Sequence, residues 1–237
     1  MADIKTDALY KSVRTTYGQK RAEANGYRAQ FFFRLEQRTV LENLHNYQAP
    51  IVDIACGSGL MLEPLMAHDK GAINIYGLDY NNDACIAAQS NQLTTIRGDA
   101  FKLPFSADTI GQFVNCQFLN QQTPENARLF VGQLAKALQP GGRAIILWRH
   151  GNSLLHRVAH SIFLLPDRLK KAPKFPQYLH SMEQVKLYAQ EVGLGVLKEA
   201  ITLPVSYPRL VHSRHWLGRV LGASFMLVLT KPVDKSG

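Results

Sequence analysis

A chain of 237 residues with 46% hydrophobic content is long enough for one α/β domain with additions and apolar enough to bury a core. Its formal charge of +9, from 27 basic and 18 acidic residues, attracts something anionic at long range, whether nucleic acid, a membrane surface or an acidic metabolite, and does not choose among them. Three cysteines, Cys56, Cys85 and Cys116, support neither a disulfide framework nor a zinc site and point to a reducing cytoplasm. The stretch MADIKTDALYKS is too polar for a signal peptide, and no apolar run approaches the ~20 residues needed to span a bilayer.

Residues 1–50 read as helical. Phe33, Val40, Leu41 and Leu44 share one face, at offsets of 7, 8 and 11 from the first, while Arg34, Arg38 and Glu42 face elsewhere. Residues 1–48 are therefore expected to form a helical cap on a sheet. Before that helix, RTTYGQKRAEANGY places Tyr17 and Tyr27 near a Gly/Asn-containing loop, where each serves either a ligand or amphipathic packing.

The segment IVDIACGSGL follows. It is a β-branched strand ending in Asp53, then the small residues Ala55, Cys56, Gly57, Ser58 and Gly59, then an apolar helix expected over Leu60 to Met66. A turn without Cβ atoms lets a ligand lie against bare backbone, and the next helix presents unpaired N–H groups. Such a turn also serves helix-to-sheet packing in proteins that bind nothing there. Two further strands sharpen the reading. INIYGLD closes in Asp79, 20 residues after Gly59, the separation at which a βαβ unit brings an acid to the adjacent strand end to grip ribose hydroxyls. LTTIRGD ends at Asp99, followed by Ala100. Tyr80, directly after the second acid, lies either on a ligand face or at a strand-end surface. Asn81 to Asn91, with Ala84, Cys85, Ala87 and Ala88, reads as a crossover helix.

TIGQFVN reads as a fourth strand, with Asn115, Cys116 and Gln117 at its C-terminal end, the edge at which parallel sheets bind ligands. Thr123 and Pro124 cap and start a helix whose Phe130, Leu134 and Leu138 lie four apart. LQPGG stops it before a fifth strand, RAIILW. Ser181 and Gln184 form an S-x-x-Q capping box for a helix with Val185, Tyr188 and Val192 on its apolar face, stopped by Gly193. LGVLKEAITL and SFMLVLTK are the last two strands.

On DIACGSG, LDY and GDAFKLPF, residues 45–150 resemble the class I S-adenosylmethionine (SAM)-dependent methyltransferases, as SAM turn, ribose segment and adenine segment respectively. LQPGG before an apolar strand extends the resemblance to Trp148. The alanine at position 55 and the LPF sequence are similar to the ubiquinone/menaquinone C-methyltransferase branch of small-molecule enzymes. The turn lacks G-x-G-x-x-G, which disfavours a nicotinamide dehydrogenase. The resemblance implies a seven-stranded, doubly wound, Rossmann-like sheet in the order 3-2-1-4-5-7-6 with one antiparallel strand. It implies SAM as cofactor, held by Asp53, Ala55, Cys56, Gly57, Ser58, Gly59, Asp79, Tyr80, Asp99, Ala100, Asn115 and Cys116. It also implies that the N-terminal segment with Tyr17 closes over cofactor and acceptor. One domain is expected, comprising the cap, a SAM-binding core at 49–148, a lid at 149–180, and a C-terminal helix with a strand hairpin at 181–237.

The acceptor is expected to be a small apolar or aromatic molecule. The segment from His150 to His180 is long for a connection and carries Leu154, Val158, Ile162 and Leu165 at helical offsets, followed by Arg168, Lys170 and Lys171. A second basic segment, YPRLVHSRHW, lies between the last strands. If the two spread into an open basic face, RNA becomes the substrate, or the basic surface meets a membrane. A DNA base is disfavoured, because NCQF stands where DNA amino-methyltransferases carry Asn/Asp-Pro-Pro-aromatic. The remaining alternative is an inactive SAM-fold subunit that stabilises a partner. No His/Cys/Asp set has metal-ligand spacing. For an acceptor that must lose a proton, the base candidates are His150 and His180, with Tyr17 a further catalytic candidate.

Overall fold

The computed structural model describes residues 27–45, 48–68, 74–151, 153–154, 178–203, 209–211 and 216–233. Tyr17, residue 152 and residues 155–177 of the expected lid lie outside them, as do residues 204–208 and 212–215 around the second basic segment.

Eight strands form one sheet: β1 (Ile51–Ile54), β2 (Ile75–Asp79), β3 (Thr94–Arg97), β4 (Ile110–Cys116), β5 (Leu138–Arg149), β6 (Gly195–Leu203), β7 (Arg209–Val211) and β8 (Ser224–Thr230). Their order is β3-β2-β1-β4-β5-β8-β6-β7. β1 to β5 pair in parallel, and β8 is antiparallel to both β5 and β6. This is the expected seven-stranded order with the last strand inserted before the penultimate one. The addition is β7, a three-residue edge strand inside the second basic segment that pairs antiparallel with β6.

The described helices are α1 (Tyr27–Leu41), α2 (Glu63–His68), α3 (Asn82–Ser90), α4 (Pro124–Ala137), α5 (Met182–Glu191) and α6 (Trp216–Leu221). Alternation along the strands sends side chains to two layers. On one face Val52, Ile54, Phe113, Ala144, Ile146 and Trp148 join Phe130 and Leu134 of α4 and Val185 of α5. On the other, Ile51, Val114, Ile145 and Leu147 join Val40 and Leu44, with Phe33 and Leu41 packed against them. The expected apolar face of the cap helix is therefore the buried one. Each fully buried Leu, Ile or Phe contributes roughly 1.5–3 kcal/mol.

Local signals set the helix ends. Thr123 Oγ1 accepts from the Asn126 N–H at 3.3 Å, and Ser181 and Gln184 close the capping box at 3.2 and 2.9 Å. Three expectations change in detail. The helix after the glycine turn starts at Glu63 rather than Leu60, because the ring of Pro64 would clash with the carbonyl of residue 60 in a continuous helix. Val192 is the α5 cap and is 37% exposed, so Met182, Val185 and Ala189 form the buried face. LQPGG already belongs to β5: Leu138 pairs with Ile110, and Gly141, at φ +77°, donates to the Lys231 carbonyl at 2.8 Å.

Candidate active site

The turn after β1 is left-handed at three residues: Ala55 (φ +57°), Gly57 (φ +57°) and Gly59 (φ +77°). An alanine there bears a strain on the order of 1–2 kcal/mol that glycine escapes. The two glycines do different work. A Cβ on Gly59 would lie 2.9 Å from Leu93 Cδ2 and 3.0 Å from Ala88 Cβ, so Gly59 lets the turn press on α3. A Cβ on Gly57 would meet nothing within 4 Å, so its bare backbone faces open space. Cys56 packs with Ala88 and Leu93, and a Cβ on Gly77 would come within 2.7 Å of its Sγ. Burial, with Asp53 and Asp79 nearby, pushes the Cys56 thiol far up, so the side chain is a filler. The Ser58 carbonyl accepts from Asn91 Nδ2 at 2.9 Å, tying the turn to the end of α3.

Asp79, the last residue of β2, is fully buried and organises the turn: Oδ2 accepts from the Gly57 N–H at 3.0 Å and Oδ1 from the Asn81 N–H at 2.9 Å. Asp53 lies inside β1, one residue before its end, also buried, and its Oδ2 has no hydrogen-bond partner among the described residues. Burial first, and then the charge of Asp79, raises its pKa to about 8. On the adjacent strand, Asn115 donates from Nδ2 to the Ile54 carbonyl at 2.9 Å, while its buried Oδ1 has no partner among the described residues. Cys116 is half-buried against the layer under α1.

Asp99 stands two residues beyond β3, exposed, with Oδ1 accepting from the Phe101 N–H at 2.8 Å. Ala100 is buried and Tyr80 is 45% exposed. The three acids therefore divide into two buried groups bracketing the turn and one on the open surface, which strand ends alone did not reveal.

Further along the same edge is a polar cluster that the sequence reading met only at Gln117. Gln117 has φ +62°, a strained conformation for a non-glycine residue. Its Nε2 donates to Glu36 Oε1 and to Ser224 Oγ, and its Oε1 accepts from Asn120 Nδ2 at 2.6 Å. Ser224 Oγ donates to Glu36 Oε1 at 2.9 Å, and Asn120 Oδ1 accepts from the Arg149 N–H at 3.1 Å. The cluster joins α1 to β4, β5 and β8. A signal existed for Glu36, which stands three residues after Phe33 and four before Val40, an acid on the apolar face of its helix.

The histidines at the two ends of the expected lid are both buried. His180 Nε2 lies 2.9 Å from the Gln122 carbonyl, and its own carbonyl accepts from Trp148 Nε1 at 2.9 Å, a structural engagement. His150, directly after β5, has neither ring nitrogen partnered. Among the described residues, no group of three or more His, Cys, Asp or Glu is gathered to hold a metal ion, and no helix is long and apolar enough to cross a membrane.

A glycine turn at a switch point, an open face above Gly57, and unpartnered buried oxygens on Asp53 and Asn115 fit a cationic nucleoside cofactor better than a neutral one. The fold is that of the class I SAM-dependent methyltransferases. Residues 52–146 match the family described as a methyltransferase domain. No curated protein matches the sequence. Among solved structures, the chain is similar to a SAM-dependent methyltransferase of Thermotoga maritima, described as a possible histamine N-methyltransferase, at 16% identity and a TM-score of 0.69 over 94% of this chain and 98% of that one. It is similar to the methyltransferase complexed with the Trm112 methyltransferase activator of Haloferax volcanii, at 15% identity and 0.69 over 98% and 99%. It is also similar to magnesium protoporphyrin IX methyltransferase from Synechocystis with bound S-adenosylhomocysteine, at 16% identity and 0.63 over 97% and 100%.

Proposed function

We propose that this chain transfers the methyl group of SAM to a small apolar or aromatic acceptor. The observation that carries the cofactor side is Asp53: a buried carboxyl with an unpartnered oxygen beside an open glycine turn suits a ligand that brings positive charge. In this reading the backbone of Ala55, Cys56, Gly57, Ser58 and Gly59 lines the amino-acid part of SAM, with Asp53 taking its ammonium. Asp79 keeps the turn in place and, at the end of the strand beside it, is the acid placed for ribose hydroxyls. Tyr80, Asp99 and Ala100 border the adenine, and Asn115 and Cys116 the methyl end.

SAM supplies a methyl carbon made electrophilic by its sulfonium. The chain's task is to hold the acceptor atom in line with that carbon and exclude water, and positioning is worth up to ~7–11 kcal/mol of barrier. The acceptor side rests on the aromatic run Trp148, Phe225 and His150 at the end of β5 and on Leu154 and Leu179, both exposed beside it. Two of the neighbours are named for small-molecule acceptors, a possible histamine N-methyltransferase and magnesium protoporphyrin IX methyltransferase. The test is methyl transfer from labelled SAM into fractionated metabolite, lipid and RNA pools. Label in the metabolite pool is expected. Label only in RNA, with steep salt dependence, would replace this reading with an RNA methyltransferase, to which a charge of +9 is suited.

A further inference from the structure

Two buried histidines close the acceptor edge, and only one is used by the fold. His180, 3% exposed, has Nε2 at 2.9 Å from the Gln122 carbonyl. His150, 6% exposed, has no hydrogen-bond partner at Nδ1 or at Nε2 among the described residues. Buried polar groups in folded proteins are nearly always paired, so an imidazole with both nitrogens unpaired calls for an explanation.

The ring of His150 is held in place. Its backbone N–H donates to the Ala223 carbonyl at 3.0 Å and its carbonyl accepts from the Ser153 N–H at 3.3 Å. The imidazole stacks on Phe225 with centroids 4.1 Å apart and planes 27° apart, and Phe225 lies 5.4 Å from Trp148. On another side Gly222 makes room for it, since a Cβ there would come within 2.8 Å of His150 Cδ2. The stack and the close approach of Gly222 fix the orientation of the ring. Burial lowers its pKa to about 4 and no charged group contributes, so at neutral pH it is an uncharged imidazole with one N–H donor and one acceptor nitrogen.

We infer that His150 is the polar contact of the methyl acceptor, and that the acceptor is an uncharged aromatic alcohol of the phenol class whose O–H donates to the imidazole while its ring lies beside Phe225. This rests on the methyl-transfer reading above and names the substrate class for it. A carboxylate or an ammonium would be buried beside an uncharged ring, which is costly, whereas a phenol pairs the acceptor nitrogen and brings no charge. Because burial disfavours the imidazolium, His150 orients the acceptor oxygen rather than storing its proton.

The test titrates phenol, benzoate and benzylammonium into the full-length protein saturated with S-adenosylhomocysteine, reading the ring nitrogens of both histidines by long-range 1H–15N NMR. Phenol is expected to shift the His150 nitrogens and leave those of His180 unmoved, with both charged analogues binding at least about tenfold more weakly. His150→Phe, which keeps a stacked ring without polar atoms, is expected to lose about tenfold in phenol affinity while binding S-adenosylhomocysteine as the parent does. Unmoved His150 resonances in the parent protein would overturn the inference without any variant having to fold, as would equal phenol affinity in His150→Phe. Failure to bind S-adenosylhomocysteine at all would instead remove the methyltransferase reading on which the inference stands.

Discussion

The backbone N–H of Gly57 donates to Asp79 Oδ2 at 3.0 Å, so the turn after β1 and the acid closing β2 form one unit. Asp79 also accepts from Asn81, which itself caps α3 by accepting from the Asp83 N–H at 2.8 Å. Removing this carboxylate therefore loosens the cofactor turn and the following helix together. Asp79→Ala is expected to weaken SAM binding by about 1.5–3 kcal/mol, the worth of a charge-assisted bond, measured by isothermal titration. Unchanged affinity would show that the turn holds its shape without the acid.

The two turn glycines are expected to fail differently. Gly57→Val places a β-branched side chain in left-handed backbone and in the open space the ligand needs, so SAM binding is lost while the fold survives at a cost on the order of 1–2 kcal/mol. Gly59→Ala instead collides with Leu93 and Ala88 and should lower the melting temperature more than Gly57→Ala does. Thermal denaturation and titration of the same variants separate the two effects, and a Gly57→Val protein that binds SAM normally would make the turn purely structural.

Asp53 makes stability and cofactor affinity depend on pH. Its carboxyl has a pKa of about 8 in the folded chain against an ordinary value of 3.8, so between these the folded state holds a proton that the unfolded state has released. Stability from this group is complete below the lower value and is lost as pH rises toward 8, at up to about 1.4 kcal/mol per pH unit. In urea denaturation across that window, Asp53→Asn should lack this slope. A cationic ligand favours the carboxylate, so SAM binding is expected to release a proton and to tighten as pH rises toward 8. Titrations in buffers of different ionisation enthalpy read the proton directly, and buffer-independent heats would count against the assignment.

Glu36 joins the cap helix to the β4 edge through Gln117 and Ser224. Glu36→Ala removes an acceptor from the half-buried Gln117 amide and from the buried Ser224 hydroxyl and should destabilise the chain by on the order of 3 kcal/mol, whereas Ser224→Ala, removing one hydroxyl, should cost about 1 kcal/mol. A double-mutant cycle in urea is expected to show coupling of at least about 0.5 kcal/mol, and additive losses would mean that the two side chains do not act as a unit.

What the sequence determined by itself was the order of the main strands and helices and the place of the left-handed glycine turn after β1. Both rest on local physics: β-branched runs for strands, Thr123-Pro124 and the Ser181–Gln184 box for helix starts, and glycines where the backbone turns left-handed. Even the burial of Phe33, Val40, Leu41 and Leu44 follows from helical spacing alone. Tertiary structure decided how the site residues are used. Asp53, Asp79 and Asp99 look equivalent as acids near strand ends, yet burial and backbone partners make one a proton-holding carboxyl, one a clamp on the turn and one a surface group. His150 and His180 look equivalent as histidines flanking an insertion, yet only His180 finds a carbonyl. Glu36 and Ser224, 188 positions apart, meet only because β8 inserts beside β5 under the cap helix. Spacing along a chain reports which face a residue takes. Its desolvation and hydrogen-bond partners come from segments far away in sequence, and they are set only when the sheet closes.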